Sequence, residues 1–245
     1  MPTPSRLTAE GFYSFEQGPV HFIMMDTEIS AFNGSTQLAF IESDLAAVDR
    51  LRTPFVIFAG HRPMFSSAGT PFGPYTGLKA DPLLYYNFED GPWWRDVEAL
   101  LLRYKVDLCL WAHVHNAEVT CPMRQGRCAQ GAEHGIVHAV VGNGGQSLAP
   151  FCLPGNTSCC CEGPGSVYCA AACDGLPPWS RWRFVGFGYA IIDIVDDAPT
   201  TQRRLSMSFY TDREVNSRVT FNGSSFKANS VIYSFNITKA AAEAK

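Results

Sequence analysis

Hydrophobic runs of strand length alternate with stretches of helical periodicity in the first half of the chain. Three predominantly apolar runs have the length of buried strands and cover residues 20–25, 54–59 and 106–111. Two stretches between these runs repeat apolar side chains at helical spacing: Leu38, Ile41, Leu45 and Val48, then Trp94, Val97, Leu101 and Tyr104. This alternation predicts an α/β layer with parallel pairing, in which functional groups collect at the carboxyl ends of the strands.

Beyond residue 117 the helical periodicity disappears and shorter strand-like runs follow. They cover residues 117–121, 136–141, 188–195, 205–210 and 231–235. The fold class is therefore predicted as α/β, or an α+β sandwich, with a mixed sheet plus antiparallel carboxyl-terminal strands. The alanine-rich residues 239–245 are predicted to form a frayed tail.

Cysteine, glycine and proline dominate residues 144–178, which interrupt the strand pattern. Of nine cysteines in the chain, six lie between Cys152 and Cys173, a density typical of an oxidising compartment. We interpret 144–178 as a surface insertion held by disulfides. Cys121 and Cys128 are close enough in sequence to close a small loop, which leaves Cys109 unpaired.

Net charge and hydrophobicity exclude several kinds of partner. The formal charge is −4 and the chain is 46% hydrophobic, so it has no general basic surface for a nucleic-acid polymer. No run approaches the roughly 18 apolar residues of a membrane span. A small molecule is the expected partner.

Four N-x-Ser/Thr triplets mark candidate N-glycans and agree with the cysteine content. They lie at Asn33, Asn156, Asn222 and Asn236. Secretion or delivery to a vacuole is expected. Because the opening residues lack the apolar core of a signal peptide, we expect further sequence before Met1.

Three histidines follow two of the predicted strands. His61 comes directly after the run 54–59, and His113 and His115 form a His-x-His pair after the run 106–111. Imidazoles gathered at one edge of a sheet suit zinc or iron. Spacing alone leaves open a structural, hydrogen-bonded role for each histidine.

The residues around these histidines resemble the last two metal-binding blocks of the purple acid phosphatases, usually written GHxP and GHxH. Here the blocks read Gly60-His61-Arg62-Pro63 and Ala112-His113-Val114-His115, with Ala112 in place of the usual glycine. Further matches lie at residues 13–28, 140–145 and 178–189. The resemblance extends from about residue 11 to residue 212, apart from the cysteine-rich segment.

The resemblance implies a calcineurin-like metallophosphoesterase, a hydrolase of phosphoric esters. It also implies the second half of a four-layer αββα fold with a dinuclear metal centre. His61 and His113 would bind the divalent ion (zinc, manganese or iron) and His115 the ferric ion. Metal-bound hydroxide would attack phosphorus in a small phosphoester or nucleotide. No catalytic side chain is assigned.

Departures from the family pattern qualify that expectation. The family's Gly-Asp-x-x-Tyr and Gly-Asn-His-Glu/Asp blocks do not occur in the sequence, nor does a histidine between Ser67 and Trp93. The latter loss resembles the nucleotide-pyrophosphatase-like branch, as do residues 115–122. We therefore expect residues 1–245 to form one partial domain that lacks its amino-terminal metal-binding half and hydrolyses phosphoesters weakly or not at all.

Two other functions remain open on the sequence. One is a non-enzymatic, disulfide-rich glycoprotein module that keeps the fold. The other is a nucleotide pyrophosphatase/phosphodiesterase. A complete single-zinc hydrolase is disfavoured because no HExxH pattern occurs.

Several other polar residues are expected to have structural roles. His21 lies inside an apolar strand, and His134 and His138 flank the start of another. Asp26 and Glu28 end the first strand and are interpreted as capping or solvated residues. Residues 142–145, Gly-Asn-Gly-Gly, lack the features of a P-loop and predict a tight turn.

Overall fold

The computed structural model describes residues 6–8, 10–67, 93–145, 148, 178–195, 202–212 and 227–240. The elements in its first half are β1 (Arg6–Leu7), β2 (Tyr13–Gln17), β3 (Val20–Met24), α1 (Thr36–Ala47), β4 (Phe55–Ala59), α2 (Trp93–Arg103) and β5 (Leu108–Trp111). In the second half they are β6 (Ala117–Thr120), β7 (Met123–Arg124), β8 (Arg127–Cys128), β9 (Val137–Val141), β10 (Ser180–Phe184), β11 (Gly188–Val195), β12 (Gln202–Thr211) and β13 (Val231–Ala240).

Eight strands form one mixed sheet in the order β1-β2-β3-β4-β5-β9-β6-β10. Strands β3, β4, β5 and β9 pair in parallel, and the outer pairs are antiparallel. Strands β11, β12 and β13 form a second, antiparallel sheet, and β7 and β8 form a hairpin. The predicted combination of a mixed sheet with antiparallel carboxyl-terminal strands is confirmed.

The two faces of the large sheet pack against different elements. Side chains alternate along β4, so Val56 and Phe58 belong to the core beneath the helices, whereas Phe55 and Ile57 face the second sheet. All four side chains are fully buried, which explains why β4 reads as an uninterrupted apolar run. The described elements therefore stack as helices, sheet and sheet.

Local sequence explains the limits of the helices. The Oγ of Ser35 accepts a hydrogen bond from the Leu38 amide at 3.2 Å and caps the start of α1. Helix α2 carries Asp96 in its first turn and Arg103 in its last, charges that complement the helix dipole. Within the described residues, neither helix has the length and apolar content required to cross a bilayer.

The tail was predicted to fray from residue 239, whereas residues 239 and 240 belong to a strand. Strand β13 continues to Ala240, and the Nζ of Lys239 donates to the carbonyl of Pro54 at 2.8 Å. Lys239 also forms an ion pair with Asp107 at 2.6 Å, so its cationic end links the second sheet to the first. Residues 241–245 and most of 144–178 lie outside the described residues.

Candidate metal centre

His61 and His113 lie in contact at the carboxyl edge of the parallel strands. His61 follows β4 and His113 follows β5, which neighbours β4 in the sheet. The Nε2 of His61 lies 3.0 Å from the Nδ1 of His113, and the rings meet at 75° with centroids 4.9 Å apart. The topology therefore brings together two histidines that are 52 residues apart.

Backbone hydrogen bonds join the two histidine loops. The Ala112 amide donates to the carbonyl of His61 at 3.0 Å, and the Gly60 amide donates to Leu110 at 3.1 Å. His113 itself adopts a left-handed conformation, with φ of 51°, which non-glycine residues rarely occupy. This turn aims the imidazole back toward His61. Ala112 does not adopt a positive φ, so this position does not require the glycine that is usual in the family motif.

His115 is half-buried and lies near enough to His113 to contribute to the lowered pKa of His113. The described part of the chain contains no group of three or more His, Cys, Asp or Glu side chains placed to hold a metal ion. His115 thus lies near the pair without completing such a group, and its role as an iron ligand stays a prediction.

Burial and a neighbouring cation keep His113 neutral. Burial is the main cause that lowers the pKa of His113 from 6.5 to about 4, and the charge of Arg62 acts in the same direction. A neutral imidazole is the form that binds metal ions. His113 is consequently available as a ligand at neutral pH and in mild acid.

Asp26 and Glu28 flank this edge without joining the histidines in a ligand group. The Oδ1 of Asp26 accepts from the Glu28 amide at 2.8 Å, so Asp26 caps a turn as predicted. Glu28 forms a bidentate ion pair with Arg62, and the hydrogen bond from Arg62 is the main cause that lowers the pKa of Glu28.

Two glycines allow the histidine loops to approach their neighbours. A Cβ atom on residue 60 would lie 2.9 Å from the Met25 side chain and 3.0 Å from the Trp111 indole. A Cβ atom on residue 142 would lie 2.0 Å from the carbonyl oxygen of Val114. The sequence placed Gly142 in a turn but gave no indication that it supports the His113–His115 loop.

A buried aromatic pair lies beneath the site. The Nε1 of Trp111 donates to the Nδ1 of His138 at 2.9 Å, and the two rings stack with centroids 5.9 Å apart. His138 is 1% exposed, and burial lowers its pKa to about 3. Its predicted structural role fits this position.

The other two histidines also have structural partners. His21 is buried and lies 2.7 Å from the Oδ2 of Asp44, and the Nε2 of His134 lies 3.0 Å from the carbonyl of Val106.

A buried ion pair anchors the segment that follows His61, and sequence reasoning did not identify it. Glu118, in β6, accepts hydrogen bonds from the amide and hydroxyl of Ser67 and from the hydroxyl of Ser180. Arg183 donates to the Ser67 hydroxyl at 2.7 Å and lies 3.6 Å from Glu118. The sequence signal that could have revealed the pair was Glu118, a charged residue inside the predicted strand run 117–121.

The predicted disulfide between Cys121 and Cys128 is present, with Cα atoms 5.6 Å apart. Cys109 is free and fully buried, and burial raises its pKa well above the usual value. The remaining six cysteines lie outside the described residues.

Comparison with known proteins identifies relatives of the chain. It is 30% identical over 200 residues to a protein named probable inactive purple acid phosphatase 1 of Arabidopsis thaliana, covering 79% of this chain and 28% of the relative. It is 30% identical over 155 residues to a nucleotide pyrophosphatase/phosphodiesterase of Hordeum vulgare, covering 60% of this chain and 39% of the relative. No family model matches the chain.

A solved structure shares both fold and sequence. The purple acid phosphatase PPD1 from yellow lupin (Lupinus luteus) seeds superposes with a TM-score of 0.64 at 26% identity, covering 99% of this chain and 35% of the lupin chain. The resemblance to purple acid phosphatases is therefore confirmed. The chain spans between 28% and 39% of the length of these three proteins.

Proposed function

We propose that this chain, which shares sequence and fold with purple acid phosphatases, supplies histidine ligands for metal-dependent hydrolysis of phosphoric esters. The observation that carries the proposal is the contact between His61 Nε2 and His113 Nδ1 at the carboxyl edge of the parallel strands. Two histidines from neighbouring strand ends reach one point there, the position at which α/β folds bind ligands.

The two ring nitrogens lie 3.0 Å apart, so both would be available to one bound ion. His61 and His113 would hold the divalent ion (zinc, manganese or iron), with His115 toward a ferric ion. When bound, these ions supply the positive charge that stabilises a phosphate during hydrolysis.

The chain's own residues orient the site. The left-handed backbone at His113 and the backbone hydrogen bond from Ala112 to His61 hold the two histidine loops together, and burial keeps His113 unprotonated. Trp111, held by His138, packs below Gly60. These contacts preorganise the two nitrogen ligands before an ion arrives.

The substrate is proposed to be a small phosphoester or a nucleotide, in line with the name of the barley relative. Secretion or vacuolar delivery is proposed from the cysteine content and the four N-x-Ser/Thr triplets. Among the described acceptors, Asn33 and Asn236 are exposed, as glycosylation requires.

A non-enzymatic module that keeps the fold is the second candidate. Relatives named as probable inactive purple acid phosphatases favour it, as does the lack of a three-ligand group within the described residues. This module would keep the histidine pair without turnover.

Zinc binding and turnover together test these proposals. Titration calorimetry should show that His61→Ala and His113→Ala each weaken zinc binding at least about tenfold. His134→Ala, at a histidine bound to a backbone carbonyl, should leave binding unchanged. Equal losses in all three variants, or no loss in any, would contradict the proposed ligands. Hydrolysis of p-nitrophenyl phosphate that depends on added zinc and iron would rule out the module, because the module would bind metal without turnover.

A further inference from the structure

A cavity of about 330 Å³ opens between helix α2 and the β7–β8 hairpin. Six residues line it, none of them in the histidine loops: Trp94, Arg95, Glu98, Ala99, Leu102 and Gln125. The five helical residues share one face of α2, because they recur at helical spacing. The volume of the cavity is in the range of pockets that take small organic molecules.

The hairpin wall of this cavity has a fixed conformation. Gln125 and Gly126 form its two-residue turn with φ of 50° and 77°, the left-handed values of the tight turn that suits a hairpin. The disulfide between Cys121 and Cys128 ties the end of the hairpin to the strand before it. The cavity is therefore formed by the fold itself and does not need a ligand to shape it.

A buried carboxylate lies in the wall of the cavity. Glu98 is 4% exposed, and its Oε1 accepts a hydrogen bond from the Gln125 backbone amide at 2.8 Å. Within the described residues Glu98 has no other hydrogen bond and no ion pair. Burial is the main cause that raises the pKa of Glu98, whereas the Gln125 amide and the charge of Arg124 lower it. The buried carboxylate thus lacks the paired cation that would offset its desolvation.

Apolar side chains flank this carboxylate along the helix. Trp94 and Leu102 lie four positions before and after Glu98, so both are its neighbours on the same face. The Cζ of Arg95 lies 5.3 Å from the centroid of the Trp94 ring, which holds this exposed cation over the indole rather than on Glu98. A ligand that matches the cavity therefore combines a cationic hydrogen-bond donor with an apolar body.

We propose that the cavity binds a small amphipathic primary amine, with the ammonium group on Glu98 Oε2 and the apolar body against Trp94 and Leu102. An ammonium supplies both positive charge and three donors, whereas an alcohol of similar shape supplies one neutral donor. Glu98 would repel a carboxylate of similar shape. This site is separate from the histidine pair, so neither depends on the other.

Phenethylamine is the probe, titrated into the full chain while NMR follows the backbone amide of Gln125, the group that donates to Glu98. The amide resonance should shift saturably, and phenethyl alcohol and phenylacetate should each bind at least about tenfold more weakly. Glu98→Gln keeps an acceptor for the Gln125 amide but removes the charge, so it should weaken amine binding about tenfold. Ala99→Leu fills the cavity from an exposed helix position and should weaken binding by about the same factor.

Glu42→Gln is the matched control, because it removes an exposed carboxylate that pairs with Arg103 and does not line the cavity. It should leave amine binding unchanged. Equal affinity of the wild-type chain for the amine and the alcohol, or for the amine and phenylacetate, would overturn the proposal without any substitution. Unchanged binding in Glu98→Gln or Ala99→Leu, equal weakening in Glu42→Gln, or no saturable shift in the wild type would also overturn it.

Discussion

Gly142 lies directly against the carbonyl of Val114, in the middle of the loop that carries His113 and His115. A Cβ atom on residue 142 would approach the Val114 oxygen to 2.0 Å, and the Gly142 amide donates to the carbonyl of Asn116 at 3.0 Å. The end of β9 therefore supports the histidine loop through backbone alone. Any side chain at this position must displace the loop.

Gly142→Ala should displace the loop and weaken zinc binding at least about tenfold, with a loss of roughly 2 kcal/mol in the free energy of unfolding. Calorimetric zinc titration and urea unfolding measure the two effects. Gly144→Ala is the matched control two residues away, where a Cβ atom would have no neighbour within 4 Å. Similar behaviour of the two variants would contradict the assigned contact.

Glu118→Ala should lower the free energy of unfolding by roughly 3 kcal/mol or more, because it leaves Arg183 buried without its carboxylate. Glu42→Gln, in the exposed pair with Arg103, should have little effect.

Denaturant unfolding measures both changes. Replacing Glu118 and Arg183 together by Leu and Met should recover part of the loss, since the buried charge is then absent while Ser67 and Ser180 still lack their acceptor. A double variant no more stable than Glu118→Ala would argue against the ion pair as the cause.

Acid should destabilise the protein partly through His138. Its pKa is about 3 in the folded state and 6.5 unperturbed, so between these values only the unfolded chain binds the proton. Stability attributable to His138 is therefore complete above pH 6.5 and falls as the pH decreases toward 3.

His138→Gln, which still offers an acceptor to Trp111, should reduce the loss of stability between about pH 7 and about pH 4.5. Urea unfolding at the two pH values tests this. Burial raises the pKa of Glu98, so Glu98 makes stability fall as the pH rises, equally in wild type and variant. The difference between the two proteins in the pH dependence of stability therefore reports on His138. Identical slopes in wild type and variant would contradict the assignment.

Removing the Cys121–Cys128 disulfide should destabilise the protein by about 2.5 kcal/mol, because the unfolded chain regains the conformational entropy that closing this small loop had removed. The double variant Cys121→Ala/Cys128→Ala, compared with Cys109→Ala by thermal unfolding, measures this. Peptide mapping without reductant should recover residues 121 and 128 in one linked fragment. Free thiols at both positions would refute the pairing.

Sequence periodicity determined most of the architecture. Strands β3, β4 and β5 and both helices lie where apolar runs and helical repeats predicted them, because a strand buried on both faces and an amphipathic helix each leave a distinct hydrophobic pattern. The length of strand β13 was underestimated because its last residues are mostly polar or small. Only their pairing with β12 shows that they belong to the sheet.

The sequence by itself also determined that histidines occupy two strand ends, since that follows from local order along the chain. Tertiary structure alone decided that His61 and His113 touch, and within the described residues it brings no third His, Cys, Asp or Glu to them as a ligand group. It also revealed Gly142 and Glu118 as supports, because their partners lie far away in sequence. Periodicity records which face of an element is buried, whereas contacts between distant segments depend on how strands are ordered in the sheet.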